Sequence, residues 1–210
     1  MFVDRIGFWI KEINTSSKRI MKKKKPIEGL SYTQQLKRAQ AERIFWKTNF
    51  DGNLEPEEIP AHIEWVKLRY GNIYDTDLEF LVSRIRSIGM LDIYDGNITN
   101  EGIKYLSKLE SVRELRFKGC EELDNGCMEY MNQVTGLSLL YFSDTPVTLE
   151  GLRDEVIVAC KFLKEFFVPS NLSNEEIKER LTSLQLRIPD CEVIVNKKPS
   201  HYYLENMHKT

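Results

Sequence analysis

One short phrase of apolar residues recurs along the chain: apolar, two residues, apolar, one residue, apolar. It fits Ile63, Val66 and Leu68; Ile88, Leu91 and Ile93; Val112, Leu115 and Phe117. It fits again at Leu137, Leu140 and Phe142; at Leu163, Phe166 and Val168; and at Ile188, Cys191 and Val193. The central members Val66, Leu91, Leu115, Leu140, Phe166 and Cys191 are separated by 25, 24, 25, 26 and 25 residues. Chance patterning supplies one or two such matches, not six in step. The pattern predicts six short strands belonging to one internal repeat.

Three residues past each phrase stand Gly71, Gly96, Cys120, Thr145, Asn171 and Asn196, small or turn-forming residues suited to a bend. Helical spacing follows. Ile98, Ile103, Leu106 and Leu109 fall on one face, as do Leu123, Met128, Met131 and Val134. A third helix is expected from Asn174, with Ile177, Leu181 and Leu184 inward. One strand with one helix cannot bury its own apolar face, but stacked copies can.

The stretches GNITNEGIKYLSKLESVRELRFKGCEELDNGCMEYM and YFSDTPVTLEGL resemble cysteine-containing leucine-rich repeats of the F-box-associated, ribonuclease-inhibitor-like type. Cys120 takes the cysteine position, and NITNEG and ELDNG take the place of the helix-opening motif. The arrangement is also similar to the mitochondrial ATP synthase coupling factor B family, which joins a short helical region to about four such repeats. The resemblance covers roughly residues 63 to 196. It implies an α/β leucine-rich-repeat right-handed solenoid: a short horseshoe with a parallel sheet on the concave face and helices on the convex face. It implies work by binding rather than by catalysis.

Upstream, the chain reads as helical and non-repetitive. Phe2, Ile6, Trp9, Ile10 and Ile13 share one helical face. Ser31 and Gln34 form a capping box for a helix through about Trp46. The expected division is a helical cap over residues 1–60, repeats over 61–197 and a polar tail over 198–210. The formal net charge of −2 gives no global pull toward nucleic acid, so none is expected as a partner. Locally, Lys18, Arg19 and Lys22 to Lys25 form a basic run. The apolar face before it, together with Lys22, Lys23, Lys24 and Lys25, suits an anionic membrane surface, so a membrane-tethered assembly factor is the alternative function. No apolar run reaches the roughly 20 residues that span a bilayer. Asp4, Arg5, Lys11 and Glu12 break any secretory pattern. A cytoplasmic chain with four free thiols is expected.

The template also names a surface, because strand side chains alternate between faces. A first column holds Trp65, Met90, Glu114, Leu139, Glu165 and Asp190; a second holds Lys67, Asp92, Arg116, Tyr141, Phe167 and Glu192. A third holds Arg69, Tyr94, Lys118, Ser143, Pro169 and Ile194. Lys67, Asp92 and Arg116 alternate in sign and are expected to pair laterally. Leu139, Tyr141 and Phe167 form an apolar-aromatic cluster beside Tyr94 and Met90, the composition of a binding hot spot. The competing reading has Tyr202 and Tyr203 fold back over that cluster. Trp65, Lys67, Arg69, Met90, Asp92, Tyr94, Arg116, Lys118, Leu139, Tyr141 and Phe167 are therefore the expected contacts for a protein partner.

Catalytic patterns are weak. The three histidines are His62, His201 and His208, and neither HExxH, GxSxG nor a phosphate-binding loop occurs. The acidic stretch at Asp51, Asn53, Glu55, Glu57 and Glu58 lacks calcium-loop spacing and contains Pro56. No cofactor or metal is expected, and a non-enzymatic adaptor is the reading. For Cys120, a buried ladder-like role outweighs a nucleophile.

Overall fold

A computed structural model describes residues 28–50, 58–69, 72–153, 157, 160 and 162–205. The amphipathic segment 2–13, the basic run 18–25, the turn at 51–57, Gly71 and His208 lie outside those residues. The chain divides into two compact units, Met1–Ile59 and Pro60–Thr210.

In the first unit, α1 (Tyr32–Asn49) starts as the Ser31/Gln34 pair predicts. The Ser31 amide donates to Gln34 Oε1 at 2.8 Å, and the Gln34 amide donates to Ser31 Oγ at 3.3 Å. Two orphan donors of the first turn are thereby satisfied. Ala39, Phe45 and Trp46 are buried. The Trp46 ring lies 5.0 Å from Phe45 and 4.8 Å from Phe50. Ile44 is exposed.

The second unit is α/β. Its strands are β1 (His62–Leu68), β2 (Ser87–Tyr94), β3 (Ser111–Lys118), β4 (Leu139–Ser143), β5 (Glu165–Val168), β6 (Glu192–Val195) and β7 (Lys198–Pro199). They form one sheet in chain order. β1 to β6 pair in parallel, and β7 adds antiparallel to β6. The helices are α2 (Asp75–Val82), α3 (Asn100–Leu106), α4 (Met128–Met131), α5 (Asn174–Arg187) and α6 (Ser200–Glu205). The run at Leu123 to Val134 yields only a 3₁₀ turn, Asn125–Cys127, running into α4.

The apolar phrase becomes hydrogen-bond register. Val66 pairs with Leu91, Leu91 with Leu115, Leu115 with Leu140, and Leu140 with Phe166. All are buried. Each contributes on the order of 1.5–3 kcal/mol through burial. The last strand departs from expectation: Phe166 pairs with Val193, not Cys191. A shift of two residues leaves every side chain on its original face, so hydrophobic alternation cannot detect it. The two residues are taken up after α5, whose 14 residues exceed the length of the other helices in this unit. Pro189 and Asp190 then form a turn instead of strand.

A second ladder links successive strand–helix units. Asp75, Asn100, Asn125 and Glu150 stand 25 residues apart. Asp75 accepts from the Thr99 amide and hydroxyl, both at 2.8 Å. Asn100 accepts from the Asp124 amide at 3.2 Å, and Asn125 from the Thr148 amide at 2.9 Å. Glu150 accepts from the Asn171 amide at 3.1 Å and the Ser170 hydroxyl at 2.9 Å. Each polar side chain therefore caps the turn that follows its own. Glycines make room for them. A Cβ at Gly102 would strike the Asp75 carboxylate, and one at Gly151 would strike the Asn125 amide. This close approach explains the glycines of the NITNEG and TLEG segments.

Residues 198–205, read from sequence as tail, form β7 and α6. Tyr203 is buried and its hydroxyl donates to the Val195 carbonyl at 3.1 Å. α6 packs against α5, β6 and β7. Tyr203 is thus tied to β6, and the Tyr202 ring lies 4.3 Å from Lys198 Nζ of β7.

Candidate interaction face of the sheet

The side chains that alternate away from the buried core stand on the open face of the sheet. Register fixes their neighbours. Trp65, Met90, Glu114, Leu139 and Glu165 align across β1 to β5, and Lys67, Asp92, Arg116, Tyr141 and Phe167 align beside them. Tyr94, Lys118 and Ser143 follow at the strand ends. Two positions in β6 differ from the expected columns. Glu192, not Asp190, stands beside Glu165, and Ile194, not Glu192, stands beside Phe167. The two-residue shift is the cause, and it extends the apolar strip by one strand.

Charge dominates the face over β1 to β3. Asp92 is only 6% exposed, although it lies on this face. Its carboxylate pairs with Arg69 at 3.5 Å and with Lys118 at 3.9 Å. Lateral pairing with Lys67 and Arg116 had been expected. The partners are instead displaced two residues along each neighbouring strand. Long cationic side chains reach diagonal neighbours more readily than a short aspartate reaches across, which accounts for the difference. Arg116 pairs within its own strand with Glu114 at 2.8 Å. Arg116 Nε and Asp92 Oδ1 are buried without a hydrogen-bond partner.

Over β4 to β6 the column of Tyr141, Phe167 and Ile194 is apolar, with Glu165 and Glu192 beside it. The Tyr141 and Phe167 rings lie 5.1 Å apart with planes tilted by 41°. Lys118 Nζ sits 5.4 Å from the Tyr141 centroid, within cation–π range. Lys118 therefore joins the charged and aromatic halves. Leu139, Tyr141 and Phe167 are half-buried, whereas Ile194 is buried. Trp65 is 69% exposed and Tyr94 46% exposed. All eleven residues expected as partner contacts thus occur within one face or at its strand ends.

A second polar cluster lies at the N-terminal ends of β1 to β3. His62, Glu64, Ser87, Ser111 and Arg113 line an open groove of about 540 Å³. His62 Nδ1 and Ser87 Oγ are 2.6 Å apart. No sequence motif pairs His62 with another residue; its 25-residue spacing to Ser87 is the available signal. Glu64 is engaged by Arg113. His62 has no carboxylate partner among the described residues, so the pair lacks the third group that orients a catalytic base.

The thiols are chemically quiet. Cys120 is buried, with Sγ 3.7 Å from the Lys118 carbonyl. Burial pushes its pKa up. Burial also raises Cys127, lifts Cys160 to about 11 and lifts Cys191 to about 12. All four are free. Thiolate nucleophiles need the opposite shift. Among the described residues, no cluster of three or more His, Cys, Asp or Glu side chains could hold a metal ion. No helix among them is long and apolar enough to cross a membrane.

No protein-family model matches the chain, and no curated protein matches it.

Proposed function

We propose that this chain is a non-enzymatic protein-binding module, a short leucine-rich-repeat solenoid that captures a partner on the concave face of its parallel sheet. The observation that carries the reading is the half-buried strip of Leu139, Tyr141 and Phe167, framed by Arg116 and Lys118 on the sheet face. Aromatic anchors with arginine neighbours are the composition of interface hot spots. The ladder of Asp75, Asn100 and Asn125 favours a rigid scaffold, which lowers the ordering cost of binding.

Cross-linking in cell extract followed by mass spectrometry tests it. Lysine cross-links to the principal partner are expected at Lys67 and Lys118 on the face, rather than at Lys104 or Lys178 on helices. The double variant Tyr141→Ala, Phe167→Ala is expected to lose that partner, since hot-spot truncations cost about 2 kcal/mol or more each. Retention of every partner by the double variant would defeat the proposal.

A further inference from the structure

The same face carries an ordered charge gradient, and that order specifies the partner. On the first three strands and their ends stand Lys67, Arg69, Arg116 and Lys118 against Asp92 and Glu114. Four cations against two anions leave an excess of two positive charges. Both carboxylates are engaged internally, Asp92 by Arg69 and Lys118, and Glu114 by Arg116 and by Arg113 at 4.0 Å. The excess is therefore offered outward, with Lys67 exposed. On β5 and β6 the charged residues of the face are Glu165 and Glu192, paired in register and both exposed. Two like charges directly opposite each other repel, and an external cation relieves them. The apolar strip of Leu139, Tyr141, Phe167 and Ile194 begins on β4, between the two regions, and runs on over β5 and β6 beside the two glutamates.

The geometry points to a partner segment that is acidic at one end, apolar in the middle and basic at the other, lying across the strands. This rests on the face being a protein-binding surface. Adjacent strands are about 4.8 Å apart, so β1 to β6 span roughly 24 Å. A helix of about 16 residues has that length. The acidic end meets Lys67, Arg69, Arg116 and Lys118. The apolar centre packs on Tyr141 and Phe167, and the basic end separates Glu165 from Glu192. Arg116 Nε, buried without an acceptor, gives the acidic end one further donor once the guanidinium turns outward. Such complementarity acts chiefly on orientation, specificity and association rate.

Two synthetic 16-residue probes of identical composition test the idea against the full chain by fluorescence anisotropy. One carries acidic, apolar and basic blocks in that order; the other interleaves its charges. The block probe is expected to bind about tenfold more tightly, and added salt narrows the gap. Lys67→Glu and Glu192→Lys, both at exposed positions, are each expected to weaken only the block probe, by about threefold or more. Equal binding of the two probes, lost in Tyr141→Ala, Phe167→Ala, overturns the charge-order inference and leaves the binding face standing. Binding of neither probe, or binding untouched by that double variant, overturns both. A dimer in solution that dissociates in the double variant identifies a second copy as occupant and also overturns the inference.

Discussion

Gly102→Ala separates the side-chain ladder from helix propensity, because the two push stability in opposite directions. Gly102 lies in α3, and its φ is not positive, so alanine is conformationally acceptable. Propensity alone predicts a gain of about 1 kcal/mol. The new methyl, however, would occupy the space of the Asp75 carboxylate, with Asp75 Cα only 3.4 Å away. The carboxylate cannot retreat without releasing the Thr99 amide and hydroxyl, each held at 2.8 Å. Hydrogen bonds to charged groups contribute about 1.5–3 kcal/mol each, and a half-buried pair belongs at the lower end. The net expectation is destabilisation by about 1–3 kcal/mol. Urea unfolding followed by far-ultraviolet circular dichroism gives the midpoint at constant slope. In an Asp75→Ala background the obstruction is gone, and Gly102→Ala becomes neutral or stabilising by up to about 1 kcal/mol. A stabilising Gly102→Ala in the wild-type background, or an equal cost in both, refutes the ladder as the reason for the glycine.

Further outcomes follow from the thiols and from Glu150. Because burial raises all four cysteines, the native chain is expected to react slowly with a disulfide reagent at pH 8, and all four thiols quickly in denaturant. One fast stoichiometric thiol in the native state would contradict that. For Glu150, burial pushes the carboxyl up. Hydrogen bonds from its own amide, from Asn171 and from Ser170 together outweigh burial and hold it below the usual glutamate value. A folded-state pKa below the unfolded one stabilises the fold above the unfolded value, near 4.5. That stability is lost as pH falls through the folded pKa. Glu150→Gln is thus expected to lower stability at pH 7 and to flatten the acid limb of the stability profile; an unchanged limb would remove Glu150 from the ladder.

Five of the six strands were legible because burial of one face of each strand forces apolar residues at fixed spacing. Val66, Leu91, Leu115, Leu140 and Phe166 needed only that rule. The sixth was misplaced because Ile188 and Cys191 also satisfy it. Cys191 is buried in the connecting segment without belonging to a strand. The polar ladder was missed for a different reason: Asp75, Asn100, Asn125 and Glu150 share a function but not a side chain, so no single-letter pattern marks them. The partners of Asp92 depend on side-chain reach, which spacing does not encode. The aromatic cluster at Tyr141 and Phe167 was legible because register alone brings it together.

The two-residue shift at β6 separates length from identity in this architecture. Lengthening the segment between α5 and β6 by two residues slides a new pair of side chains past Phe167, with Cys191 and Val193 keeping the interior apolar. A single-residue change would turn Val193 and Val195 outward and Ile194 inward, exchanging interior for surface in one step. Connector length near residue 190 is therefore a discrete dial with permitted and forbidden settings. Its present setting places an isoleucine where the uniform period would have placed a glutamate. Insertion of two residues there would re-address the surface without redesigning any strand.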